Sequence, residues 1–582
     1  MIAGVDTGGT FTDVVFDDGT SAKVPSQRED PAAAVAAGLG DVRPSTLAHG
    51  TTVATNALLE RRGARVALIT NAGFEDVIEI GRQDRPSLYD SRRDRPVPLV
   101  DRDHRFGVAG RLDAAGDEIA PLGSVPAVGD DIDVVAVCLL HSDLNAAHER
   151  SVADAVGGDV VCSHEVSPEF REFERTVTTV ISAYLRPLTA NYLQRLTTLA
   201  GEVLVMTSAG GLVPLALAAE RPASLLLSGP AGGVRAGAAA AVAAGFPDAV
   251  TFDMGGTSTD VCLVLDGVPA PAAERVVAGF PVRVPSLDVH TIGAGGGSIA
   301  FVDAGGALVV GPESAGAAPG PTCYGRGGSR PTVTDADLVA GRIPADVGFP
   351  GIGALDAAAA QRALDAADVT AAGVIAVVDA AMAEAVRAVT INRGVDPRQL
   401  ALVAFGGAGP LHACALADEL DMAAVIVPAR AGVLSAAGIL AAPRQHDVVR
   451  SWPTPSDHSG VADALRELAA EASGDEIVTR VDCRYAGQSH ELTVPSVADF
   501  PAEHRRRNGY DQPGAPIEVV ALRVSGRTAS PVESLPADGS ASREPAVGPA
   551  VVSEPDCTMW LPEGWRADVH ESGSWILRRS RS

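Results

Sequence analysis

Short apolar runs alternate with alanine-rich stretches along most of the chain. IAGVD (2–6), RVALIT (65–70), DVVAVCLL (133–140), EVLVMTS (202–208), AVTFDMG (249–255), LALVAFG (400–406) and AAVIVPA (423–429) are near-continuous in apolar side chains. Their length and lack of alternation predict strands buried on both faces. PAGGVRAGAAAAVAAG (230–245) and PLHACALADEL (410–420) predict helices whose small residues allow close approach to a sheet. Strand–helix alternation of this kind predicts α/β architecture. GSVPAVGDDID (123–133) predicts a loop or linker. Beyond about residue 450 the character changes, and Trp452, Trp560, Trp565 and Trp575 all lie there. PVESLPADGSASREPAVGP (531–549) predicts a flexible connection, and the tail after it alternates like short strands. Three units are therefore expected: 1–165, 166–450, and a smaller, mainly β module at 451–582.

One pattern is repeated. Asp6-Thr7-Gly8-Gly9-Thr10-Phe11-Thr12-Asp13-Val14 recurs as Asp253-Met254-Gly255-Gly256-Thr257-Ser258-Thr259-Asp260-Val261, identical at seven of nine positions. Each copy follows one apolar run and precedes another, so each predicts a β-hairpin with a glycine turn. Glycines let backbone N–H groups approach an anion with no Cβ in the way, and Thr10 and Thr257 add hydroxyl donors. Asp6 and Asp253 repel a bare phosphate. They make sense with Mg²⁺ between, since that ion takes carboxylate, water and phosphate oxygens. Two such hairpins face to face would hold a nucleoside triphosphate and its metal. A third turn, Gly406-Gly407-Ala408-Gly409, ends another predicted strand and opens a helix. It fails the dinucleotide pattern, because Pro410, Leu411 and His412 follow.

Composition removes several alternatives. Lys23 is the single lysine and lies in the polar stretch DDGTSAKVPSQRED, away from any glycine turn. That excludes a P-loop and a protein-kinase site, and offers no buried lysine for Schiff-base chemistry. The net charge of −27 argues against a nucleic-acid or anionic-membrane surface. The seven cysteines are scattered with no Cys-x-x-Cys, and are expected to be buried thiols rather than metal ligands. No basic leader and no apolar window of 18 residues is seen, so a cytoplasmic location is expected.

The order of first hairpin, second hairpin and glycine turn resembles the actin, sugar-kinase and heat-shock-chaperone ATPase superfold. More narrowly, the chain resembles the hydantoinase A/5-oxoprolinase family. The resemblance rests on HGTTVATNAL (49–58), GFEDVIEIGRQDRPSLYD (73–90), FREFERTVTTV (170–180), LSGPAGGVRAGA (227–238), TFDMGGTSTDV (251–261), TIGAGGGSIA (291–300) and PTVTDADLVAGRI (331–343). AFGGAGPLHACALADEL (404–420), RYAGQSHEL (484–492) and GPAVVSEPDCTMWLPEGW (548–565) extend it toward the C-terminus. Ser182 and Ala209 stand where the family has asparagine. The resemblance implies two actin/hexokinase-like ATPase domains around a nucleotide cleft. It implies ATP and Mg²⁺ as cofactors, and an A-type subunit of a hydrolase acting on a hydantoin, 5-oxoproline or another lactam. A separate B-type subunit would complete ring opening in a hetero-oligomer. Two alternatives stay open: a carboxylase-type subunit acting on a ketone, and a non-catalytic ATP-binding regulatory subunit.

By this resemblance Asp6, Gly8, Gly9 and Thr10 form the first phosphate hairpin, and Asp253, Gly255, Gly256 and Thr257 the second. Gly406, Gly407 and Gly409 form the adenosine turn, and Gly295, Gly296 and Gly297 with Ser298 an oxyanion-capable loop. Asp6 and Asp253 are the expected metal ligands. Catalytic candidates are Asp253, His49 ahead of a predicted helix, and His290 ahead of the glycine loop. His49 could equally be a capped surface histidine and His290 a core one. Asp335 and Asp337 are either metal ligands or a helix N-cap, and Arg82 and Arg85 either an anion clamp or a solvated loop. Cys323 is a weaker nucleophile candidate, because phosphoryl transfer needs none.

Overall fold

The computed structural model describes the chain apart from residues 28, 88, 91, 93, 347–351, 533–542 and 581–582. Two sheets carry the duplication seen in the turns. From its edge the first runs Ser21–Pro25, Phe11–Phe16, Ile2–Thr7, Thr46–Thr51, Glu202–Met206. The second runs Val268–Pro269, Thr259–Leu265, Ala249–Met254, Ala401–Phe405, Ala424–Val427. In each, an antiparallel hairpin is followed by two strands parallel to its first strand. The parallel strands are buried on both faces, as their unbroken apolar runs require.

Each sheet has its own core. Val177, Ile181, Leu185 and Tyr192 of helix Glu172–Leu196 pack on Val5, Val14 and Leu47. Val374, Val378, Met382 and Val386 of helix Ala371–Val389 pack with Phe252 and Val261. A separate parallel sheet in the order Val160–Cys162, Val134–Cys138, Val66–Asn71, Arg105–Val108 uses two of the expected strands. Residues 123–133 are a loop, as expected.

Strands after residue 450 are present and several extend the two large sheets, while Val461, Leu468, Tyr485, Phe500 and Leu522 form a core cluster of their own. Arg444–Ser451, Ile517–Thr528, Glu476–Tyr485 and Leu492–Val494 continue the first sheet. Trp575–Arg579, Trp565–Val569 and Ala546–Val547 continue the second, and Trp565 and Trp575 are buried in its core. The boundary expected at 450/451 falls inside strand Arg444–Ser451. The physical reason is that an open sheet edge presents unpaired N–H and C=O groups, which added strands satisfy. Most of the expected flexible connection, 533–542, lies outside the described residues.

Helices Gly229–Ala243 and Leu434–Leu440 cross between the sheets. Their contact is backbone to backbone: a Cβ on Gly438 would lie 2.0 Å from the carbonyl oxygen of Gly232.

Candidate functional site

A cavity of about 1310 Å³ is lined by both hairpin turns, the Gly406-Gly407 turn and the C-terminal segment around Asp556. The hairpins are duplicates in hydrogen bonding as well as sequence. Gly8 N–H donates to the Phe11 carbonyl and Gly255 N–H to that of Ser258, both at 3.0 Å. The tips approach each other, since a Cβ on Gly256 would lie 2.8 Å from Thr10 Oγ1.

Hairpin register sets the electrostatics. Asp6 pairs with Asp13 and Asp253 with Asp260, so each hairpin carries two carboxylates on directly opposed residues. Like charges in that relation repel. Burial, then Asp13 and Asp253, hold the Asp6 carboxyl well above its usual range. Burial first, then Asp260, lift Asp253 to about 7, although Ser435 Oγ donates to its Oδ2 at 3.3 Å. Asp260 rises to about 6 through burial, against a 2.5 Å bond from Thr291 Oγ1. Asp6 Oδ1 is buried with no hydrogen-bond partner.

The two hairpins bring the buried carboxyls of Asp6, Asp13, Asp253 and Asp260 to the cavity, one with an orphaned oxygen, and these residues could hold a divalent cation. A carboxyl whose folded pKa lies above its unfolded value binds more protons when folded, so its contribution falls as pH rises through that interval. The cation-free protein is therefore expected to lose thermal stability between pH 4 and 7, from the values near 6 and 7 at Asp260 and Asp253. Mg²⁺ is expected to raise the melting temperature at pH 8 and not at pH 5, which a thermal-shift series reads directly.

Lys23 is not the solvated residue that its polar surroundings suggest. It lies on strand Ser21–Pro25 directly opposite Asp13, lines the cavity, and its Nζ donates to Asp13 Oδ1 at 2.7 Å and to the Gly432 carbonyl at 3.0 Å. Removing it leaves Asp13 buried and uncompensated. Lys23→Met is expected to weaken nucleotide binding at least about tenfold, a change of ~1.4 kcal/mol, measured by titration calorimetry.

The structure moves three expected groups out of the roles the motifs suggest. His49 is on strand Thr46–Thr51, fully buried and outside the cavity lining. Its Nε2 is 2.7 Å from Tyr192 Oη, and burial pushes its pKa down to about 3, so it is neutral. Tyr192, which does line the cavity, separates it from the cleft. His290 is exposed on strand Val289–Ile292 and does not line the cavity. Side chains alternate along a strand, and here Thr291 takes the side that meets Asp260. The Gly295–Gly297 loop is not an oxyanion hole: Gly296 N–H donates to the Gly255 carbonyl at 3.0 Å and Gly297 N–H to that of Gly256 at 2.7 Å. These donors brace the second hairpin. Gly296 and Gly297 line the cavity only as backbone, and Gly295 is packed against Thr257 N.

The other candidates separate cleanly. Gly406 and Gly407 line the cavity, and Gly406 has φ 79° with its Cβ position 2.4 Å from Asp253 Oδ1. Gly409 opens helix Gly409–Glu419 and packs on Phe252. Asp335 is the partner of Thr332 in a capping box and accepts from Thr322 and Cys323 N–H, so it is spoken for. Asp337 lines the cavity and forms a buried pair with His412 at 3.2 Å. Burial opposes charge on His412, but Asp337 and Asp379 outweigh it and lift the imidazole to about 10. Arg82 forms a two-pronged bond to Glu174, and Arg85 is exposed. Cys323 is buried with its thiol pKa pushed up, unlike a nucleophile. Sequence reasoning missed Lys23, Tyr192, Ser435 and Asp556. Asp556 Oδ2 accepts from Gly432 N–H at 2.9 Å and brings the C-terminal segment to the cleft.

Facing hairpins on duplicated sheets, with a third glycine turn beside them, define an ATPase fold of the actin and sugar-kinase type. The chain belongs to the hydantoinase/oxoprolinase family: residues 2–157 match the hydantoinase/oxoprolinase N-terminal region and 175–448 the hydantoinase/oxoprolinase domain. It is 32% identical to the caprolactamase subunit alpha of Pseudomonas jessenii, over 99% of this chain and 98% of that one. It is 36% identical to the acetophenone carboxylase gamma subunit of Aromatoleum aromaticum, over 73% of this chain and 66% of that subunit. The crystal structure of the ATP-dependent caprolactamase from Pseudomonas jessenii superposes with a TM-score of 0.84 at 30% identity, covering 100% of both chains. The chain is thus related to ATP-dependent hydrolases of cyclic amides and to carboxylase subunits. Among the described residues, no single helix is long and apolar enough to cross a membrane.

Proposed function

We propose that this chain is the A-type subunit of an ATP-dependent cyclic-amide hydrolase. The observation that carries the reading is the pair of facing hairpins, each with two aspartates on one cleft and glycine N–H groups at its tip. Mg²⁺ held at Asp6 and Asp253 would neutralise charge on a transferring phosphoryl group. Gly9 and Thr10 would bind phosphate from one side and Gly256 and Thr257 from the other, while Gly8 and Gly255 close the two turns. Gly406 and Gly407 would pack against the nucleoside.

An amide ring is a poor electrophile, and phosphorylating its oxygen supplies a better leaving group. The amide oxygen bonds to the γ-phosphorus, the bond to the β–γ bridging oxygen breaks, ADP leaves, and the ring N–H proton passes to water or a base. Water then adds to the ring carbon, the ring C–N bond breaks as the nitrogen takes up a proton, and a second water hydrolyses the resulting acyl phosphate to the open amino acid and phosphate. A B-type subunit would carry out that second half, and the pair would work in the cytoplasm.

The test is ADP release by the chain co-expressed with its B-type partner, screened with lactams, hydantoins, and acetone plus bicarbonate. Stimulation by a cyclic amide is expected. Stimulation by acetone and bicarbonate alone would favour the carboxylase reading, which the acetophenone carboxylase relative keeps in view. ATP binding with no turnover under any condition would favour a regulatory subunit.

A further inference from the structure

The strands that extend the first sheet carry arginines that the nucleotide cleft does not use. Arg527 of strand Ile517–Thr528 lies opposite Gln445 on one side and Glu476 on the other. Arg523 is four residues back along that strand and so shares the face of Arg527, and Arg480 stands directly opposite Arg523. Helix Gly229–Ala243 brings Arg235 to the same region, over the turn between strands Glu202–Met206 and Leu212–Pro214. A Cβ on Gly210 of that turn would lie 2.9 Å from Arg235 Cδ, and one on Gly211 would meet the Gln445 side chain.

Three of these four guanidinium groups are short of acceptors. Arg523 is fully engaged, with its Nη2 2.7 Å from both Glu169 and Asp482. Arg527 has one bond, from its Nε to Gln445 Oε1 at 3.1 Å. Among the described residues Arg235 and Arg480 form no hydrogen bond or ion pair. The neighbouring acids do not fill the gap. Asp447 accepts from the Gln445 amide at 3.0 and 2.9 Å and from the Ser525 hydroxyl. Glu476 is exposed and forms no ion pair with any of the three. Burial first, then the charge of Arg527, depress the Arg235 guanidinium to about 10, with Glu476 offsetting this only in part. The same two causes depress Arg480. All three side chains are half-buried, so solvent reaches them.

Unpaired cations held close together are relieved by an anion. Each guanidinium offers a fork of parallel N–H donors. A carboxylate has two oxygens and one charge for three forks, whereas a phosphoryl group brings three acceptor oxygens and close to two charges.

We propose that Arg235, Arg480 and Arg527 form a binding site for a phosphoryl group, carried by inorganic phosphate or by the monoester of a small molecule. None of the three lines the nucleotide cavity. Helix Gly229–Ala243 starts at the wall of that cavity with Gly229 and Pro230, and Arg235 lies about one and a half turns further along it. The site is thus outside the cleft but on a helix the cleft shares, and it does not depend on which reaction the cleft performs.

The test is calorimetric and thermal-shift titration of the full chain with inorganic phosphate, glycerol 3-phosphate and citrate, at constant ionic strength against chloride. Phosphate or its ester is expected to bind and to raise the melting temperature above that in chloride, and the tighter of the two identifies the source. Arg235→Met and Arg480→Met are each expected to weaken that binding at least about tenfold. Both variants are expected to keep wild-type ATP affinity, and a ligand-free melting temperature equal to or above that of the wild type, because a repulsion is removed. Phosphate binding at wild-type strength in either variant overturns the inference, as does no response to phosphate or its ester. A stronger response to citrate than to both overturns the phosphoryl assignment. A ligand-free melting temperature that falls clearly in both variants makes the arginines structural and overturns the inference as well.

Discussion

Asp253→Asn is expected to lower amide-dependent ADP release by about a thousandfold or more, the scale on which phosphoryl-transfer enzymes lose rate when a charge-neutralising group is removed. The same substitution is expected to leave the cation-free fold intact or to raise its melting temperature. Asp253 stands opposite Asp260 on the second hairpin, is held near 7 by burial and by that neighbour, and takes only one weak bond, from Ser435. An amide of the same shape keeps the Ser435 contact and removes the repulsion. A carboxylate kept where it costs stability is the pattern of a residue retained for its work. A purely structural Asp253 would instead show lost stability with little change in turnover. The two readouts, ADP release and melting temperature in EDTA, therefore move in opposite directions only if the residue serves a cation.

The second large effect concerns the joint between the sheets. Gly438→Ala places a methyl group 2.0 Å from the Gly232 carbonyl oxygen, at a crossing of two helices with no side chain to give way. Overpacking a backbone contact of this kind costs about 3 kcal/mol. It also forces apart the helices that carry Ser435 toward Asp253 and Gly229 into the cavity wall. Gly438→Ala is expected to lower the urea midpoint clearly and to weaken nucleotide binding with it. Gly407→Ala meets no atom within 4 Å of the added Cβ and serves as the stability control, expected to leave the midpoint in place.

Much of the fold was legible because its signals are local. Unbroken apolar runs marked the buried strands, and the repeated turn marked two hairpins that prove equal down to the Gly8 and Gly255 hydrogen bonds. The cleft pair Asp6 and Asp253 followed from the same repeat. What stayed hidden depends on register and long-range pairing. Lys23 is a cleft residue only because strand Ser21–Pro25 returns beside Asp13. His290 misled because one step along a strand changes the face, and Thr291 took the productive one. The Gly295–Gly297 run resembles an anion loop until its N–H groups are seen donating to the neighbouring hairpin. Asp556 meets Gly432 across a stretch of chain no local pattern spans.

In the proposed mechanism two aspartate–glycine hairpins hold one nucleotide through a shared cation. Titration calorimetry of ATP at pH 8, with and without Mg²⁺, on the wild-type chain and on Asp6→Asn tests it most directly. Binding is expected to be at least about tenfold tighter with Mg²⁺, a difference of ~1.4 kcal/mol or more, and that difference is expected to be lost in Asp6→Asn. Equal ATP affinity with and without Mg²⁺ in the wild type, or an undiminished Mg²⁺ effect in Asp6→Asn, would contradict it.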